Sequence, residues 1–87
     1  MWHIYILLCA DGSLYTGSTN NLEKRLETHR SGKGGKYTRS HKPLRIIHFE
    51  KYGTKSEALK REMEIKSWTR SKKIADLNLK LQLPDSK

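Results

Sequence analysis

LYTGSTNNLEKRLETH, Leu14 to His29, decides how this chain folds. A β-type run ends at Gly17, polar residues follow, and a helix begins. Asn20 reads as the helix N-cap, with Glu23 three residues on to complete a capping box. At about 100° per residue, Leu22, Leu26 and His29 fall in one narrow arc, with Arg25 on its margin. An arginine and a histidine thus take inward positions where Leu or Ala would serve stability better.

Upstream, WHIYILLC from Trp2 to Cys9 is rich in β-branched and aromatic residues and predicts a strand. Both of its faces are largely apolar, as suits a central strand covered on each side. Ala10-Asp11-Gly12 is a turn signal, and Ser13 to Ser18 is the returning strand of a hairpin. Two registers are open. A two-residue Asp11-Gly12 loop sets Leu8 against Tyr15 and points Tyr5 to the opposite side. A three-residue Ala10-Asp11-Gly12 loop, with Gly12 in the left-handed region, sets Leu7 against Tyr15. Only the second puts Tyr5 and Tyr15 on one face as diagonal neighbours, and it is the register expected here.

Downstream, SGKGGKYTRSHKP reads as a basic loop, with Lys33, Lys36, Arg39 and Lys42 as candidate nucleic-acid contacts. Its glycines and lysines do not fit the phosphate-loop spacing, and no strand feeds it. Leu44 to Tyr52 predicts a third strand, which Gly53 breaks. Thr54 and Glu57 form a second capping box, opening a helix that runs to about Trp68. A shorter helix follows, from about Ser71 to Leu79. The order β-β-α-β-α-α predicts an α/β (α+β) domain of two layers, a small three-stranded antiparallel sheet flanked by helices. The domain is expected over residues 1–80, with 81–87 a frayed C-terminal tail.

The chain has 87 residues, of which Lys and Arg contribute 18 against 9 acidic residues, a net charge of +9. Such an excess points to a polyanionic partner, nucleic acid above all. A single cysteine, Cys9, excludes an internal disulfide framework and a Cys-rich zinc site. His3, His29, His41 and His48 lack zinc-binding spacing. No apolar stretch approaches the ~18 residues of a membrane span, and the N-terminus lacks the basic start of a signal peptide. No membrane association and a cytoplasmic location are the expectation.

In the second helix, Ala58, Leu59, Met63 and Ile65 form the apolar arc, and Glu62 falls in its middle. A carboxylate there must be paired, protonated or bound to a metal, because an isolated buried charge is untenable. An Arg25–Glu62 ion pair tying two helices together is the plainest alternative to a functional role.

These residues resemble a known family. HIY at His3 to Tyr5 and YTG at Tyr15 to Gly17 resemble the paired triads of the GIY-YIG nucleases. GSTNNLEKRLETH continues their pattern of glycine, polar cap, Leu, Arg and His. LKREMEIKSW resembles the helix carrying that family's metal-binding glutamate, here Glu62. The resemblance spans roughly residues 2 to 75 and is nearest to small stand-alone bacterial members. It departs at His3, where the family has a glycine, and at Ser18, where some members have a lysine. Asn78 is the candidate for an asparagine near the end of the family core.

The resemblance implies an endonuclease that hydrolyses phosphodiester bonds in nucleic acid, DNA before RNA. Glu62 would hold one divalent ion, magnesium or manganese. Tyr5, its phenol lowered in pKa or its proton relayed, would activate water. Arg25 would offset charge on the phosphoryl group, and Tyr15 and His29 would orient the phosphate or assist proton transfer. The alternative is a nucleic-acid-binding module on the same scaffold with weak or no catalysis.

Overall fold

The computed structural model describes residues 1–31 and 42–79. The elements are β1 (Trp2–Cys9), β2 (Leu14–Thr19), α1 (Leu22–Arg30), β3 (Pro43–Tyr52), α2 (Lys55–Lys66) and α3 (Arg70–Asp76). The fold is α+β in the expected order, with an antiparallel sheet of strand order β2-β1-β3. β1, apolar on both sides, is the central strand. Lys33, Lys36, Arg39 and the expected tail lie outside the described residues. Lys42 is exposed, and its carbonyl accepts from the Ala10 backbone N–H at 2.7 Å.

The hairpin takes the three-residue loop. Cys9 N donates to the Ser13 carbonyl at 3.0 Å, and Gly12 N to the Cys9 carbonyl at 2.9 Å. Gly12 has φ 86°, a left-handed conformation that only glycine adopts without strain. Leu7 consequently pairs with Tyr15 and Tyr5 with Gly17.

Helices cover both faces of the sheet, so the expected two layers are three. Ile4 and Ile6 pack with Ala58 and Ile65 of α2 and with Leu79 beyond α3. Burial of each such isoleucine contributes about 1.5–3 kcal/mol. Tyr5, between them on β1, points the other way and meets His29 of α1. A half-buried cluster fastens α2 to β3. Arg61 Nε donates to Glu50 Oε1 at 2.9 Å, and the Tyr52 hydroxyl donates to the same oxygen at 2.6 Å. His48 lies 2.8 Å from Glu50 Oε2. Burial alone would raise the Glu50 pKa, but Arg61, Tyr52 and His48 together hold it at about 2.

The caps explain the boundaries. Asn21, not Asn20, caps α1: its side chain accepts from Lys24 N at 3.1 Å. Pairing with β1 carries β2 on to Thr19, opposite His3, so one further residue is needed before the helix can turn. The expected Asn20–Glu23 box is therefore not formed. Thr54 caps α2 as expected, accepting from Glu57 N at 3.2 Å, while its hydroxyl donates to Glu57 Oε1. Thr69 caps α3, which starts one residue earlier than expected and ends sooner. Asn78, at φ 51°, turns the chain left-handed, and Leu79 N reaches back to the Ile74 carbonyl at 3.1 Å. That is a Schellman stop, closed by burial of Leu79 on the core.

Candidate active site

Tyr5 is the centre of the site. Its ring is 1% exposed and extends toward Gly17 on the edge strand β2. A Cβ on Gly17 would stand 2.6 Å from Tyr5 Oη and 2.8 Å from Cζ. Glycine is required there for close approach, because any side chain would push the phenol out of place. The rings of Tyr5, Tyr15 and His29 form one cluster, with centroids 6.3 Å (Tyr5–Tyr15), 6.0 Å (Tyr5–His29) and 5.1 Å (Tyr15–His29) apart. The expected sharing of one face by the two tyrosines is realised.

The inward Arg25 and His29 of α1 both address Tyr5. Arg25 Nε donates to Tyr5 Oη at 3.3 Å, and His29 Nε2 lies 2.9 Å from the same oxygen. A guanidinium can only donate, so the Tyr5 hydroxyl can pass its own proton toward Nε2. Burial, reinforced by the Arg25 charge, holds the His29 pKa below its ordinary 6.5, which keeps the imidazole neutral and able to accept. Hydrogen bonds to Tyr5 and Tyr15 raise the Arg25 pKa further.

Tyr5 itself runs against expectation. Burial pushes its phenol up to about 12; the Arg25 hydrogen bond pulls down, and the charges of Tyr15 and Glu62 push up. The phenol is raised, not lowered, contrary to the first of the two routes that the resemblance implies.

Glu62 reaches Tyr5 electrostatically from α2, on the opposite face of the sheet. Its side chain is 14% exposed and pairs with Lys66 Nζ at 2.7 Å. The alternative Arg25–Glu62 ion pair is not formed: Arg25 is turned to Tyr5, and the two helices lie on different faces. Nor is Glu62 central to a buried arc. Ala58 and Ile65 are buried, but Leu59 is 39% and Met63 71% exposed, since a three-stranded sheet covers only one stripe of the helix.

Among the described residues, no three of His, Cys, Asp and Glu come together as a metal cage. One carboxylate of this kind fits a hard ion that keeps water and substrate oxygens in its shell, as magnesium does, and not zinc. Asn78 lies apart from Tyr5, in a hollow of about 390 Å³ lined by Arg45, Ile46, Ile47, His48 and Leu77. Cys9 is buried, and burial raises its thiol pKa, as befits an inert core residue. Sequence reasoning named Gly17 within a triad but missed its steric role, and it missed Glu50 and Arg61 altogether. The turn-set register is the signal that could have found the first.

The buried histidine has a pH signature. With its folded pKa below the unfolded 6.5, the unfolded chain binds a proton first as pH falls. Its effect on stability is nil above about 6.5 and destabilising below it, down through the folded value. Thermal melts across that window should show a shallower pH slope for His29→Gln than for the parent. Equal slopes would mean that His29 is not held neutral.

Known proteins resemble this chain over most of its length. Residues 1–75 match the family model described as the GIY-YIG catalytic domain. A UPF0213 protein of Bacillus pumilus is 55% identical over 71 residues, covering 82% of this chain and 72% of that one. A UPF0213 protein of Haloquadratum walsbyi is 52% identical over 71 residues, covering 82% and 80%. The solution NMR structure of an E. faecalis protein aligns with TM-score 0.60 at 46% identity, over 87% of this chain and 81% of that one. That of a UPF0213 protein from Bacillus halodurans aligns with TM-score 0.58 at 42% identity, over 90% and 84%. By sequence, fold and the arrangement of its two triads, this chain belongs to the GIY-YIG catalytic domain family.

Proposed function

We propose that the chain is an endonuclease of the cytoplasm that hydrolyses phosphodiester bonds in nucleic acid, DNA before RNA, with one magnesium or manganese ion. The observation that carries this reading is the hydrogen-bonded series Arg25–Tyr5–His29 within electrostatic reach of Glu62. A phenol hydrogen-bonded between a guanidinium and a neutral imidazole has a donor to orient its oxygen and an acceptor for its proton, as general acid–base chemistry requires. The net charge of +9 supplies attraction to a polyanion. Among the described residues, no helix is long and apolar enough to cross a membrane.

Each residue has a distinct task. Glu62 would hold the ion, which when bound supplies positive charge beside the phosphate. Tyr5 takes a proton from the attacking water as its own passes to His29 Nε2. The neutral imidazole can accept the phenol's proton only in concert with the arrival of the water's proton at the same oxygen, because a phenol near 12 does not ionise to it alone. Arg25 keeps the phenol oxygen oriented and presents its charge to the phosphoryl oxygens. Tyr15 packs on His29 and fixes the ring. Lys42, with Lys33, Lys36 and Arg39 of the basic loop, would contact phosphates farther along the strand.

The test is incubation with single-stranded, duplex and branched DNA and with RNA, with magnesium, manganese or EDTA. Metal-dependent internal cleavage of at least one substrate is expected. Salt-sensitive binding of all of them without cleavage of any would favour the binding-module reading instead.

A further inference from the structure

We propose that the hollow on the outer side of Arg25 is a second phosphate subsite, with Lys24 as its cation, holding the phosphodiester next to the scissile one. The inference rests on the nuclease reading and extends it to residues that the family motif does not assign. The hollow measures about 210 Å³ and is lined by Thr19, Asn20, Asn21, Lys24, Arg25 and Thr28. It is smaller than the ~300–1,000 Å³ of a drug-sized site and suits one phosphate with part of its sugar.

Among the described residues, its walls carry two cations and no carboxylate. Lys24 is exposed and forms no ion pair among the described residues. Polar groups that line it are engaged with the backbone, and Glu27 lines a separate, adjoining hollow that Lys24 also borders. Asn21 Oδ1 accepts from Lys24 N at 3.1 Å, Thr19 Oγ1 accepts from Asn21 N at 3.1 Å, and the Thr28 hydroxyl donates to the Lys24 carbonyl at 2.8 Å. Arg25 belongs both to this wall and to the Tyr5 site. A strand whose scissile phosphate lies against Tyr5 and Arg25 therefore meets Lys24 next, on the same helix. Such a contact fixes the position of the strand without reading its bases.

The experiment compares Lys24→Gln with Lys60→Gln, which removes the same charge from an exposed position on α2. Steady-state cleavage of an oligodeoxynucleotide is measured from low to moderate salt with magnesium, beside equilibrium binding of the same strand. Lys24→Gln should raise KM and Kd about tenfold with kcat unchanged, the effect of one charge-assisted phosphate contact. It should also make the salt dependence of binding shallower by about one in log–log slope, while Lys60→Gln changes little. Equal effects of the two variants, or a fall in kcat at constant KM, would overturn the subsite. If the parent binds the strand but cleaves nothing, the nuclease reading fails. The affinities then decide on their own whether Lys24 holds a phosphate.

Discussion

Glu62→Gln should abolish cleavage, by about a thousandfold or more, and leave the melting temperature almost unchanged. The two halves of that expectation come from different features of one side chain. Glu62 is the carboxylate whose charge reaches Tyr5, and no cluster of further acidic or imidazole ligands is at hand to replace it among the described residues. Losing the ion loses the charge that offsets the phosphoryl oxygens, worth several kcal/mol of transition-state stabilisation at about 1.36 kcal/mol per tenfold in rate. The stability side is small. Among the described residues, the one ion pair lost is that with Lys66, a neighbour one turn along the helix whose side chain is 50% exposed. Pairs of this kind contribute about 0.3–0.5 kcal/mol. A buried pair with Arg25 would have predicted the reverse, a loss of ~3–5 kcal/mol in stability, together with strong coupling to Arg25→Met. With Arg25 bonded to Tyr5, that coupling should be near zero in a double-mutant cycle read by thermal melts. Unchanged cleavage in Glu62→Gln would remove Glu62 as the metal ligand and the mechanism with it.

The sequence showed where polar residues spend core positions, but not how those positions meet in space. Arg25 and His29 were visible as intruders on an apolar arc because helical periodicity is regular enough to project from one strip of sequence. The turn alone left the hairpin register open, since Gly12 suits either loop, and the expected pairing rested on bringing Tyr5 and Tyr15 to one face. Glu62 was noticed for a reason only partly right. A helical projection treats Leu59 and Met63 as core, whereas the width of the sheet decides how much of a helix is covered, and that is a tertiary quantity. It equally hides that Glu62 and Arg25 approach Tyr5 from opposite faces. The pKa of Tyr5 was beyond reach because it depends on burial of the hydroxyl under α1, which no local pattern encodes. The Glu50–Arg61 fastening joins residues eleven apart in sequence across a strand and a helix, with no periodicity to announce it.

Tyr5→Phe carries the second large effect, and its value lies in how it combines with His29→Gln. Removing the hydroxyl takes away the group that activates water, for which a loss of about 10²–10⁴ in rate is expected. It also strands Arg25 Nε and His29 Nε2, both within hydrogen-bond reach of that oxygen. Stability should fall by about 1–3 kcal/mol, the desolvation cost of leaving such groups unsatisfied. A loss of both activity and stability does not by itself prove a chemical role, so the combination decides. If the proton leaves Tyr5 for His29, the two residues act in series, and once the Tyr5 hydroxyl is gone the imidazole has no proton to receive. His29→Gln alone should then cost nearly as much rate as Tyr5→Phe, and the double variant should be no slower than Tyr5→Phe. Single-turnover cleavage rates of the four proteins, at one pH and saturating magnesium, give the comparison. Losses that multiply would mean that His29 assists a different step, and the relay from Tyr5 to His29 would have to be abandoned.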